Sequence, residues 1–333
     1  VELFLAKPRG FCAGVDRAID VVEVCLELFG APVYVKHAIV HNRHVVEDLQ
    51  QRGAVFVEEV EEIPEESITV FSAHGVSPEV RKQAAARNLK VVDATCPLVT
   101  RVHLEAIRYA REGYSILLIG HRGHVEVAGT MGEAPAATQL VCTAAEALTV
   151  AVSNPEKVMV LTQTTLSAED VAEITAVLRE RFPGLQTPPK GDICYATANR
   201  QTATRELAKH CDVILVVGSP QSSNANRLVE VARRIGVTAH RVDSAEEINP
   251  AWVRGAQSVG VTSGASTPEA LVDGVVSWLR KHGAGAPQEV APLNENVWFP
   301  LPNDLVKLAR AAGKGSVLID KHRIRKDTKL SVR

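Results

Sequence analysis

Aromatic side chains are scarce in this 333-residue chain, at 4% of the total, and methionine occurs only twice. A core must therefore come mainly from Ala, Val and Leu, within an apolar content of 46%. That favours helices packed on buried, Val-rich parallel strands over an all-β sandwich. Charge of one sign is also lacking: the formal net charge is -2, whereas a nucleic-acid protein shows a basic face or stripe. No apolar run approaches the ~20 residues that cross a bilayer. The chain opens on a strand pattern instead of a basic segment and an apolar h-region, so no signal peptide and a cytoplasmic location are expected. Cys-x-x-Cys pairs are missing, as is any flavin or nicotinamide fingerprint. In a cytoplasmic setting the six cysteines read as free thiols or metal ligands in preference to three disulfides. The length exceeds what one core usually serves, which points to two or three domains.

What the chain does contain is a repeat. Cys12 lies in a glycine-flanked loop between the apolar run at Leu3 to Ala6 and a helical pattern; Cys96 and Cys194 stand likewise between a strand and a helix, 84 and 98 residues further on. Those separations suit small α/β units. Each helix leads to a β-branched strand, PVYVK, SILLIG or DVILVVG, and then to a polar loop. Counted from the cysteines, His41, His124 and Ser223 fall at 29, 28 and 29 residues. A second set of loops follows ITVFS, VMVLTQ and SVGVTSG and carries His74, Thr164 and Ser266. Every unit thus offers one cysteine and two polar loops at the carboxyl ends of strands, the edge where open α/β sheets bind ligands. The expected fold is α/β, with three pseudo-equivalent units in a trefoil-like arrangement whose edges face a common centre. The expected boundaries are 1–96, 97–193 and 194–282, with a C-terminal segment 283–333. Cys25, in the apolar register of the first helix, Cys142, inside the strand QLVCT, and Cys211, at a helix-to-strand junction, read as structural.

Three convergent thiolates suit zinc poorly without short Cys-x-x-Cys spacing. Separate loops better suit a cuboidal iron-sulfur cluster. Electron carriers normally use four cysteines, so three leave one iron open to bind a substrate and pass electrons to it. The ring of His, Ser and Asn, with several helix N-termini, describes an anion site. Ser222, Ser223 and Asn224, opening ANRLVEVARRIG, form the clearest phosphate cradle, although SSN alone reads as an ordinary N-cap. Glu126, two residues past His124, is the carboxylate placed for proton delivery, with Thr164 as a relay. A glutamate in a polar loop is by itself a solvated charge; the shared register gives these residues their weight.

The motifs PRGFCAGVDRAI, HNRHVVEDL, FSAHGVS, DATCPLVTRVH, GHVEVAGTMG, LTQTTLS, DICYATANRQ, SSNANRL and TSGASTPE resemble those of the LytB-type 4-hydroxy-3-methylbut-2-enyl diphosphate reductases of the non-mevalonate isoprenoid pathway. The likeness covers about residues 3 to 302. It implies a central 4Fe-4S cluster with an open iron, held by Cys12, Cys96 and Cys194. It implies diphosphate contacts from His41, His74, Ser222, Ser223, Asn224 and Ser266, with His124 in the same ring, and a proton from Glu126 through Thr164. The implied reaction removes the C4 hydroxyl as water with two electrons, giving isopentenyl or dimethylallyl diphosphate. With no cofactor fingerprint of the chain's own, the donor implied is a ferredoxin or flavodoxin.

Val125 stands where the family usually has Pro, which puts the spacing of His124 and Glu126 in question, and Ala198 stands where Thr is common. The family generally ends soon after FPLP, yet this chain continues, and its last 13 residues hold six Lys or Arg and one Asp. That tail reads as solvated, or as a dock for an acidic electron carrier. Two other readings stay open: a quinolinate synthase-like 4Fe-4S dehydratase, which must grip a dicarboxylate, and an iron-sulfur sensor without turnover, which has little need of an aligned acid.

Overall fold

Runs of Val, Ile and Leu long enough to be buried on both faces dictate parallel strands, and the computed structural model, which describes residues 1–315, arranges them in three all-parallel sheets. In the first, β2 (Val33–Lys36), β3 (Ala54–Val57), β4 (Ile68–Phe71) and β5 (Lys90–Asp93) lie in the order β3-β2-β4-β5. In the next, β6 (Ser115–Ile119), β7 (Thr138–Val141) and β8 (Val158–Thr162) lie in the order β7-β6-β8. The last takes β9 (Val213–Val217), β10 (Thr238–Val242), β11 (Ser258–Ser263), β1 (Glu2–Ala6) and β12 (Pro287–Val290) in the order β10-β9-β11-β1-β12. The central strands β6, β9 and β11 are buried along their whole length, as is β8 at the end of its sheet. Alternate residues of β9 feed opposite cores, Ile214 and Val216 one, Leu215 and Val217 the other.

The chain divides into two compact units, one of residues 1–12 and 101–297, the other of 13–100 with the segment from Trp298 onward. The sheets do not follow the boundaries 1–96, 97–193 and 194–282. β1 pairs with β11, Leu3 opposite Val259 and Leu5 opposite Val261, and so belongs with the strands that follow Cys194. Cysteine spacing measures the period of a repeat but not its phase. In the two sheets that have a fourth strand in topological order, that strand precedes the cysteine: β5 before Cys96, β1 before Cys12. Before Cys194 no strand forms; Gln186 makes a single bridge to Met159, and Pro188 and Pro189, which lack an N–H to donate, end the pairing. The segment 283–333 is not one body either. β12 completes the sheet of β1, whereas the Lys314 ammonium donates to the carbonyls of Glu27 and Leu28 in the other unit. The basic tail 321–333 lies outside the described residues.

A helix follows each cysteine: α1 (Ala13–Phe29), α4 (Pro97–Arg111) and α8 (Tyr195–Leu207). Cys25 is buried in α1 and Cys211 between α8 and β9. Cys142 lies one residue past β7, its N–H donating to Glu146 Oε2, because Thr143 already caps the next helix. Among the described residues no helix is long and apolar enough to cross a membrane.

The loop from β1 to Cys12 is fixed by a buried cation. Gly10 takes φ +67°, which costs other residues strain, and donates its N–H to Ser263 Oγ. Its carbonyl accepts from Nε and Nη2 of Arg200, a side chain 0% exposed, at 3.2 and 2.7 Å. Arg200 also donates to the Ala196 carbonyl and to both oxygens of Glu295. One guanidinium on α8 therefore ties the Cys12 loop to the helix that Cys194 opens. Arg200→Ala leaves the Gly10 carbonyl without its side-chain donors and Glu295 with Asn199 Nδ2 in place of a cation, and is expected to destabilise the protein by about 3 to 5 kcal/mol, read from chemical denaturation. A loss below about 1 kcal/mol, the scale of an exposed pair, would contradict this.

Candidate active site

Parallel strands end at one edge of their sheet, and there each first strand turns into a helix whose N-terminal N–H groups need acceptors. In the larger unit the acceptors are His124, capping α5 (Val125–Glu133), and Ser222, capping α9 (Ser223–Arg234). The strand-to-helix approach is close: a Cβ on Gly120 would lie 2.6 Å from Val127, and one on Gly218 2.6 Å from Ala225. Glycine is needed at both positions, seven residues before its helical partner. His124 Nδ1 accepts the Glu126 N–H at 3.2 Å, a bond that spans Val125 and leaves the ring proton of a neutral imidazole on Nε2. Val125 thus does not loosen the pairing of His124 and Glu126.

Glu126 occupies the first turn of α5 instead of a loop, and is buried at 4% exposure. Its Oε1 accepts the Thr164 N–H at 2.6 Å and its Oε2 the Thr164 hydroxyl at 3.0 Å. Burial pushes the Glu126 carboxyl up to about 7, against the opposing pull of those two bonds. Thr164, just after β8, also accepts the Cys194 N–H on its carbonyl at 3.0 Å. Glu126 and Cys194 are therefore joined through Thr164.

Cys194 caps α8, and its sulfur accepts the Thr197 N–H at 3.3 Å with the Thr197 hydroxyl at 3.1 Å. Asn224 donates from Nδ2 to Thr197 Oγ1 and accepts the Ala265 N–H on Oδ1. The Ala265 carbonyl in turn accepts the Cys12 N–H. Ser223 Oγ accepts from the Thr165 hydroxyl at 2.9 Å, and Thr165 Oγ1 accepts from Gln163 Nε2. Ser266 is buried after β11. Among the expected residues, Cys12, Cys194, His124, Glu126, Thr164, Ser222, Ser223, Asn224 and Ser266 thus all lie in this unit. Gln163, Thr165 and Thr197 join them without having been singled out, although LTQTTLS and CYATANRQ contain them.

In the smaller unit the rings of His41 and His74 lie 4.1 Å apart, centre to centre. His74 Nδ1 is 3.2 Å from Ser72 Oγ, and the neighbouring Ala73 carbonyl accepts the Cys96 N–H. Burial, helped by the charge of His37, lowers His41 to about 4, so this imidazole is neutral at pH 7 and offers one N–H donor. Asn42 caps α2 (Arg43–Gln51), accepting from His44 and Val45. Burial lowers the Arg17 pKa, with the Cys96 and Asp93 charges opposing; its guanidinium donates to the carbonyls of Ala94, Thr95 and Pro300.

All six cysteines are free thiols. Cys12, Cys96 and Cys194 are half-buried, and each immediately precedes a helix. Burial and then the nearby Cys12 push the Cys194 thiol up to about 11. Two thiolates close together repel, and a cationic iron centre removes that penalty, so the Cys12 and Cys194 pair has the donor chemistry that an iron-sulfur cluster takes.

A model of the family described as LytB protein matches residues 3–280. The chain belongs to the LytB family. A 4-hydroxy-3-methylbut-2-enyl diphosphate reductase of Pseudomonas aeruginosa (strain LESB58) is 52% identical over 309 residues, 92% of this chain and 98% of that protein. Another, of Nocardia farcinica (strain IFM 10152), is 56% identical over 305 residues, 91% of either chain. The solved structure of the E-1-hydroxy-2-methyl-but-2-enyl-4-diphosphate reductase from Plasmodium falciparum matches with a TM-score of 0.91 at 40% identity, covering 94% of this chain and 99% of that one. The α/β fold expected from the sequence is thus the fold of LytB relatives.

The raised pKa of Glu126 has a consequence for stability. Below its ordinary value of 4.5 the carboxyl is protonated in folded and unfolded chains alike. As pH rises from there to about 7 the unfolded chain releases the proton and the folded one keeps it, so stability falls by roughly 3 kcal/mol in all. Glu126→Gln, which does not ionise, is expected to flatten this slope. Chemical denaturation of cluster-free protein at about pH 5 and about pH 8 measures it, and equal slopes for the two proteins would contradict the assignment.

Proposed function

We propose that this LytB protein reductively dehydroxylates 4-hydroxy-3-methylbut-2-enyl diphosphate, taking up two electrons and two protons and releasing water with isopentenyl or dimethylallyl diphosphate. The observation that carries the reading is the buried Glu126–Thr164 pair bonded to the Cys194 loop: a carboxyl kept protonated near neutrality, beside a cysteine fitted to hold iron. A sensor or scaffold has no use for such an acid.

We assign Cys12, Cys96 and Cys194 to a 4Fe-4S cluster. When bound, that group supplies an open iron as Lewis acid toward the substrate hydroxyl and the path by which electrons enter. Everything else falls to the chain. His124, holding its proton on Nε2, donates to the anion. The α9 N-terminus, with Ser222, Ser223 and Asn224, presents N–H and hydroxyl groups of the kind that bind phosphate oxygens; Ser266 adds a hydroxyl. In the smaller unit we assign His41 and His74 to the same diphosphate, His41 as a neutral donor. These contacts are remote from the bond that breaks and supply orientation. Hydroxide is a poor leaving group, so a positioned proton is needed as the C–O bond breaks. Glu126 provides it in its protonated form: its Oε2–H then donates to Thr164 Oγ1, 3.0 Å away, whose own hydroxyl proton passes to the departing oxygen. The electrons come from a carrier such as ferredoxin or flavodoxin.

Glu126→Gln can keep both contacts, its oxygen accepting the Thr164 N–H and its NH₂ donating to Thr164 Oγ1, but it lacks the transferable proton and is expected to lower kcat by about 10² to 10⁴ with little change in KM. Ser222→Ala is expected to raise KM more than it lowers kcat. In the native protein kcat is expected to fall as pH rises through about 7, where Glu126 ionises. Anaerobic steady-state assays with a chemical reductant check all three. Undiminished turnover by Glu126→Gln would remove Glu126 as the acid.

A further inference from the structure

We propose that Thr197 sets the reduction potential of the cluster through a directed hydroxyl hydrogen bond to the Cys194 sulfur, an inference that rests on the cluster assignment above. The direction of the bond follows from counting donors. Thr197 is 1% exposed, and its Oγ1 has two partners: Cys194 Sγ at 3.1 Å and Asn224 Nδ2 at 3.2 Å. The Asn224 amide cannot be turned over, because its Oδ1 accepts the Ala265 N–H at 3.0 Å. Its NH₂ therefore faces Thr197, and an NH₂ group only donates. The Thr197 oxygen must accept from Asn224, which leaves its single proton for Cys194. The Thr197 backbone N–H donates to the same sulfur at 3.3 Å. One residue thus aims two donors at one ligand sulfur, at the positive end of α8.

Donors directed at a ligand sulfur favour the state with more negative charge, so they raise the potential of an iron-sulfur cluster. Bonds to a charged acceptor are the stronger kind, and burial keeps water from replacing this one. The arrangement also places Asn224 at a junction. One N–H orients Thr197, and the other remains for an anion, so the same amide serves the cluster ligand and the diphosphate cradle.

Wild-type, Thr197→Val and Thr197→Ser proteins, reconstituted anaerobically and assayed for iron and sulfide, are to be titrated electrochemically with the reduced cluster followed by electron paramagnetic resonance. Thr197→Val keeps the shape and the backbone donor but loses the hydroxyl. Its reduction is expected to become about tenfold less favourable, a downward shift of about 59 mV for one electron, while Thr197→Ser stays near wild type. Coincident potentials for wild type and Thr197→Val would overturn the proposal. If Thr197→Val took up no cluster while Thr197→Ser did, the hydroxyl would be a requirement for ligation, and the proposal as a potential-setting device would fail. Failure of the functional reading is separable: wild-type protein with a full cluster and no turnover of the diphosphate would remove that reading and leave the potentials to be compared.

Discussion

The structure depends on the parallel run of its strands. Because all strands of a sheet point the same way, every strand-to-helix turn of that sheet falls on one edge, where strand carbonyls end and helix N–H groups begin. That edge must be supplied with polar side chains, and the chain supplies Asn42, His124 and Ser222 as caps. An anion site is then a small addition, since N-terminal N–H groups beyond the reach of one cap already face outward. The cysteines exploit the same feature, each standing where a helix begins, Cys12 and Cys96 one strand further along.

The cost of this design is buried polarity. Glu126, Thr164, Thr197, Asn224 and Arg200 all lie at or below 4% exposure, and burying such groups without partners costs several kcal/mol apiece. Here they satisfy one another. Thr164 serves Glu126 with its N–H and hydroxyl and Cys194 with its carbonyl; Asn224 serves Thr197 and Ala265; Arg200 serves Gly10, Ala196 and Glu295. Rigidity of this kind suits the proposed site, in which Glu126 and a substrate would be held in register. Burial also outweighs the hydrogen bonds that would otherwise keep Glu126 ionised.

Much of this was legible in the sequence. The common register of Cys12, Cys96 and Cys194 and of their downstream loops marked the edge residues before any fold was known, and the Glu126–Thr164 pairing follows from that register. Other features were hidden for physical reasons. The pairing of β1 with β11 joins residues about 256 apart, which no local pattern encodes. Gln186 makes only one bridge, so the strand expected before Cys194 fails on prolines that the apolar pattern does not weigh. Thr197 reads as an indifferent helical residue, and only folding brings it to Asn224, 27 positions away. Arg200 reads as a surface cation, and only its carbonyl partners and Glu295 explain its burial.

The central claim is that a cluster held by Cys12, Cys96 and Cys194 is where the allylic diphosphate reacts. Electron paramagnetic resonance of anaerobically purified, reduced protein, with and without 4-hydroxy-3-methylbut-2-enyl diphosphate, tests it most directly. A cluster signal that changes when the diphosphate is added is the predicted result. A fully loaded cluster whose signal is the same with and without the diphosphate would contradict the claim.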